Sequence, residues 1–166
     1  MGFEVQPLLI ALTQRRNEQS IMECNDTTAE YGLVLSAADV RDIVTARDNA
    51  LTATGRIEFG SIVERLIYKF CDSPYIMQSN YTKTICELTE IFYIFKNETL
   101  DSFTDDQLLD IMKESFDGPC AGSTELLASR ELNEIARNLR YGMYGALGDF
   151  DAGAVHPELY IGDDDE

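Results

Sequence analysis

Between Ile62 and Phe70, and again between Ile85 and Phe95, apolar residues recur at steps of three and four, and this spacing commits the chain to helices. Ile62, Val63, Leu66, Ile67 and Phe70 lie on one face of an α-helix and on no single face of a strand. Ile85, Leu88, Ile91, Phe92 and Phe95 form the main stripe of the strongest helix, predicted from Tyr81 to about Asn97. Tyr93 and Ile94 widen that stripe to nearly all round, the pattern of a central helix.

Helix signals punctuate the rest. Pro7 and the run Leu8, Leu9, Ile10 and Leu12 predict a first helix, because proline costs least in the first turn. Residues 24–35 read as a connector, with Tyr31–Leu35 one short extended stretch. Ser36 is an N-cap, and Asp39 three residues on places a carboxylate in the first turn. Val40, Ile43, Val44 and Leu51 carry that helix until Gly55 breaks it, and Arg56–Phe59 fits either an extended link or a helix start. Pro74 ends the stripe that closes at Phe70, and Ser79 or Asn80 caps the helix that follows. Thr104 and Gln107 form a capping-box pattern, with Gly118-Pro119 as the stop. Ser123 caps a final long helix lined by Leu126, Leu127, Leu132, Ile135, Ala136 and Leu139. The expectation is all-α: a single bundle of five or six helices over residues 1–142, then an acidic flexible tail over 143–166.

Size and charge narrow the function classes. A chain of 166 residues buries roughly 70% of its extended surface, and 45% apolar content fills such a core without metals or disulfides. The net charge is -17, and seven carboxylates with no Lys or Arg after Tyr141 leave the preceding residues near -10. That field repels nucleic-acid phosphates and anionic lipid headgroups. The basic residues are scattered, only Arg15 and Arg16 being adjacent, so no nucleic-acid stripe exists. The apolar runs are too short to cross a bilayer, and the first residues lack the positive region of a signal peptide. A cytoplasmic protein is expected, with reduced thiols at Cys24, Cys71, Cys86 and Cys120.

Candidate sites are weak. A calcium loop started at Asp117 would set Gly122 at its sixth position but Ala128 at its twelfth. It lacks most of the oxygens calcium needs, so a tight turn is the better reading. Glu87, Glu90 and Glu98 could suggest a carboxylate-bound metal, but the Glu-x-x-His partners of di-iron bundles are missing. They read as a polar helix face, as Glu64 and Glu125 do on their own helices. A thiol nucleophile at Cys71, Cys86 or Cys120 needs a base, and the only histidine is His156 in the tail. Cys86, between Ile85 and Leu88, reads as a core or boundary thiol, and Cys120 has the more exposed context. No phosphate-binding glycine loop, dinucleotide fingerprint, nucleophile elbow or zinc-protease motif is present. No cofactor and no metal are therefore expected. Tyr68, Tyr75, Tyr81, Tyr93, Tyr141 and Tyr144 either finish the core or form a partner surface, core use being favoured.

Four stretches carry a resemblance: Leu51–Gly60, Phe70–Ile76, Glu90–Thr99 and Phe116–Ser123. Together they resemble a family of uncharacterised proteins from Clostridia and related Firmicutes, the domain of unknown function 6323, over most of residues 1–142. The resemblance implies a bacterial cytoplasmic setting and assigns no activity. Two functions remain to be separated. One is a non-enzymatic interaction or adaptor domain binding another protein or itself. The other is a small enzyme or ligand-binding protein with an all-α pocket, near Cys120 or the Asn97-Glu98 turn.

Overall fold

A computed structural model describes residues 2–57 and 61–141, with backbone alone for 2–6. The predicted tail over 143–166, with His156 and Tyr144, lies outside the described residues. Packing divides the chain into two units, Met1–Tyr93 and Ile94–Glu166. Both are helical, and no strand occurs among the described residues.

The first unit begins with α1, Gly2–Glu23, which starts earlier than the sequence suggests and carries Pro7 inside it. A four-residue helix α2, Asn25–Thr28, and a 3-10 turn, Ala29–Tyr31, follow in what reads from sequence as a connector. Gly32 then reverses the chain at φ 78°, in the left-handed region that glycine enters without steric cost. The expected extended stretch survives as Leu33–Leu35, which pairs with side chains instead of a second strand. Asn25 Nδ2 donates to the Leu35 carbonyl at 3.0 Å while its Oδ1 accepts from the Leu35 amide at 2.8 Å. Gln78 brackets Val34 in the same way, at 2.8 Å in both directions. Two primary amides thus supply the backbone pairing that a neighbouring strand would otherwise give. Leu33 and Leu35 point into the core and Val34 points out, the alternation of a strand.

Helix α3, Ala37–Thr54, opens on a full capping box: Ser36 Oγ accepts from the Asp39 amide, and Asp39 Oδ2 accepts from the Ser36 amide. It closes at Gly55, φ 69°, where the Arg56 amide reaches back to the Leu51 carbonyl at 2.9 Å. In α4, Ile62–Phe70, all five residues of the stripe are buried. Each contributes about 1.5–3 kcal/mol of burial, so α4 is held chiefly by its face. Ser20 Oγ donates to Glu64 Oε2 at 2.6 Å, tying the packed end of α1 to α4.

Helix α5, Tyr81–Glu98, is buried on most sides, as its sequence predicts. Its exposed positions, Lys83, Glu90, Ile94 and Glu98, follow at steps of seven, four and four residues, which keeps them on one side of the helix. Ile94 therefore belongs to the solvent stripe, which corrects its expected place in the core. Asn80 faces backward from the helix start, accepting from the Met77 amide and donating to the Tyr75 carbonyl.

The second unit takes the end of α5 from Ile94, and α6, Asp105–Asp117. Between them Leu100 and Asp101 adopt φ 56° and 57°, each at a cost of roughly 1–3 kcal/mol. Buried Lys96 holds this turn, its Nζ donating to the Phe103 carbonyl at 2.6 Å and pairing with Asp105 at 2.8 Å. The Thr104–Gln107 capping box is complete. Ser123 caps the last helix, whose path differs from the predicted straight rod. The helix runs as α7, Thr124–Leu126, then a π-helical stretch, Leu127–Leu132, then α8, Asn133–Arg140. In a straight α-helix, residues five apart point about 140° apart. A turn closed between residues i and i+5 brings them to one side, and Leu127 and Leu132 are both buried. Leu126, predicted inside, is exposed.

Candidate functional site

None of the four cysteines is in a disulfide, and the structure ranks their thiols differently from the sequence. Cys120 was the residue with the more exposed context, yet it is only 1% exposed. The turn after α6 folds onto that helix's end: the Cys120 amide bonds the Ser115 carbonyl at 3.0 Å and the Gly122 amide bonds Phe116 at 2.8 Å. This is the tight turn expected in place of a calcium loop. Burial pushes the Cys120 thiol up, Glu131 adds to the shift, and Arg130 opposes it. Cys24 is buried too, donating to the Ser20 carbonyl at 3.8 Å, and burial raises its thiol. Cys71 is buried and donates to the Tyr68 carbonyl at 3.4 Å.

Cys86 is half-buried and lines an open recess of about 430 Å³ in the first unit. The recess lies between the start of α3 and the first turns of α5, walled by Asp39, Asp42, Gln78, Ser79, Thr82 and Lys83. Burial first, then the carboxylates of Asp42, Glu90, Glu87 and Asp39, push its thiol up to about 11. At neutral pH it is a protonated thiol in a negative field, the reverse of an activated nucleophile. Lys83 does not offset that field, since its ammonium pairs with Glu87 at 2.7 Å. This recess lies at neither place suggested by the sequence. At the Asn97-Glu98 turn, Glu98 instead pairs with Arg140 at 3.0 Å. No group of three or more metal-ligating side chains occurs among the described residues.

The aromatic surplus divides. Tyr81 and Tyr93 are buried, whereas Tyr68, Tyr75 and Tyr141 are exposed. The Tyr81 hydroxyl is pushed up to about 12, mainly by burial, with the Thr28 side chain beside it opposing the shift. Tyr68 also rises to about 12, first through its hydrogen bond with the Cys24 thiol.

A feature that sequence periodicity did not single out is the first half of α1. Every position from Pro7 to Arg16 is exposed, and Leu8, Leu9, Ile10 and Leu12 are 50–59% exposed. Burial begins only with the next turns and is complete at Ile21. The signal was present in the sequence: Leu8, Leu9 and Ile10 are consecutive, so they occupy more than one helix face. No helix among the described residues is long and apolar enough to cross a membrane.

The sequence model of DUF6323, a family of unknown function, matches residues 20–145. The chain belongs to that family. Neither a curated protein nor a solved structure matches it. The DUF6323 match begins at Ser20, where α1 becomes packed, so the exposed apolar run of α1 precedes it. The recess and all four cysteines lie within the DUF6323 region.

Proposed function

We propose that this chain is a non-enzymatic protein-interaction domain of the bacterial cytoplasm, with the start of α1 as its contact element. The exposed run Leu8–Leu12 carries the reading. An α-helix that is apolar on several sides is stable in water only when something covers it. The recess favours the alternative less, because its thiol is protonated and its walls offer no base within a catalytic arrangement. The acidic surface supports a solution setting, since it repels anionic lipid and nucleic acid.

Native mass spectrometry of the full chain with whatever co-purifies tests this, comparing wild type with the double variant Leu9→Glu, Leu12→Glu. A stoichiometric protein assembly that the variant loses, at an unchanged thermal midpoint for the isolated chain, is the expected result. A wild-type monomer without a protein partner, or a small molecule retained equally by both forms, would overturn the reading.

A further inference from the structure

The first unit carries two surfaces with opposite and complementary chemistry. One is the start of α1. Following its exposed leucines come Arg15 and Arg16, both exposed, the only adjacent basic pair in a chain of net charge -17. Neither arginine makes an ion pair with a described residue. Leu12 lies four residues after Leu8, and Arg15 and Arg16 lie three and four residues after Leu12, so apolar and basic groups share one side over about 12 Å. The other surface is the recess beside Cys86, with the Asp39 and Asp42 carboxylates in its wall together with Lys83, whose ammonium is paired with Glu87 at 2.7 Å. Gln78, another wall residue, holds Val34 by two 2.8 Å hydrogen bonds, and both Val34 and Met77 are exposed at that edge. An acidic hollow with an apolar rim thus matches a helix that is apolar at one end and basic at the other.

We propose that the occupant of the recess is the start of α1 from a second copy of this chain. Arg15 and Arg16 meet Asp42 and Asp39, while Leu8 and Leu12 cover Val34 and Met77. The exchange is reciprocal, which closes a two-fold dimer, the commonest symmetric assembly. Like-charged bodies oppose such association, and the basic pair supplies the local opposite charge that overcomes it. This inference rests on the reading of α1 as the contact element and names its partner.

Sedimentation velocity on the full chain at micromolar concentration, at low and high salt, is the experiment. Wild type runs at twice the chain mass and dissociates more readily as salt rises. The charge reversal Arg15→Glu, Arg16→Glu weakens the dimer at least tenfold, as does Asp42→Arg alone. The chain carrying all three changes regains part of the affinity, because Asp42→Arg supplies a cation for the reversed pair while the unchanged Asp39 still repels it. Asp39 is left intact because it caps α3. Far-UV circular dichroism checks that each variant is folded; Arg15, Arg16 and Asp42 are all exposed. A wild-type monomer, a dimer indifferent to the arginine reversal, or no recovery in the triple variant overturns the proposal. If α1 instead seats on a different protein or on anionic vesicles, this inference fails. Only the protein case leaves the contact-element reading standing, whereas the Leu9→Glu, Leu12→Glu comparison above tests that reading alone.

Discussion

Helices α1 and α4 are comparably rich in leucine and isoleucine, yet one end of α1 is bare and the face of α4 is fully covered. In α4 the apolar residues sit at Ile62, Val63, Leu66, Ile67 and Phe70, one stripe with a polar side left for water. At the start of α1 they sit at Leu8, Leu9, Ile10 and Leu12, spread around the helix, and every one is exposed. Apolar content alone therefore does not place a segment in this core; phase does. A stripe can be closed by one neighbouring helix, whereas an all-round run needs cover from several directions.

The largest contrast should appear in the response to alanine. Leu66 is fully buried, and Leu66→Ala removes its packing and leaves a cavity, an expected loss of about 2–5 kcal/mol. The same truncation at Leu9 should change the stability of the dilute chain by less than about 0.5 kcal/mol. Urea melts of both variants, at concentrations low enough to exclude association, measure the pair. If Leu9→Ala cost as much as Leu66→Ala, the start of α1 would be packed in solution, and the contrast between the helices would be gone.

A middle-sized effect belongs to the point where α1 changes character. Ser20 donates to Glu64 at 2.6 Å, with both side chains partly buried, and Ile21 is the first fully buried residue beyond it. Removing the hydroxyl in Ser20→Ala should cost about 1 kcal/mol, since the carboxylate left behind keeps some access to water. The cost should shrink when Glu64→Gln is already present, because the amide oxygen still accepts from the serine hydroxyl but without charge assistance. Additive effects in that double-mutant cycle would show that the tie does not fasten α1 to α4, and that packing at Ile21 alone ends the exposed segment.

How much of this was legible in sequence follows from how far apart the partners are. The capping boxes at Ser36–Asp39 and Thr104–Gln107, the stop at Gly55, and the face of α4 are local, and each depends on residues within a turn or two. What escaped is set by distant partners. Asn25 and Gln78 reveal nothing of their role in sequence, because they bracket backbone groups ten and forty-four positions away. Cys120 looks exposed between glycines and a proline, but the turn folds back onto α6 and buries it. The π-helical stretch also escaped, since it becomes visible only when Leu127 and Leu132 must share one buried side. The recess is of the same kind: it combines residues from α3 with residues of the turn before α5 and the start of α5. Its chemistry could be assembled only after the fold was known.

The smallest effect contrasts helix starts that are fixed with the start of α1. Helices α3 and α6 carry the same reciprocal cap with one difference, Asp39 in the first and Gln107 in the second. The hydrogen bonds from the Ser36 amide and hydroxyl hold the Asp39 carboxyl below its usual range. A carboxyl depressed in the folded state stabilises above its unfolded value of about 3.9, and that contribution is lost as pH falls through the lower folded value. Acidification should therefore loosen the first turn of α3 below about pH 4, whereas the Thr104–Gln107 bonds of α6 do not titrate and that helix start responds only through Asp105 and Asp106. In Asp39→Asn the acid-sensitive part of α3 protection should be absent at every pH, at a stability cost of about 1 kcal/mol or less near neutrality. Amide hydrogen exchange of residues 37–41 against 105–109 across that range reads the difference directly. Residues 8–16, with no packed neighbour to hold them, should exchange fast throughout, close to the limit of a fraying helix. Equal acid sensitivity of the α3 turn in wild type and in Asp39→Asn would remove Asp39 as the cause. Slow exchange at residues 8–16 in the dilute chain would show that the helix start is held without a partner.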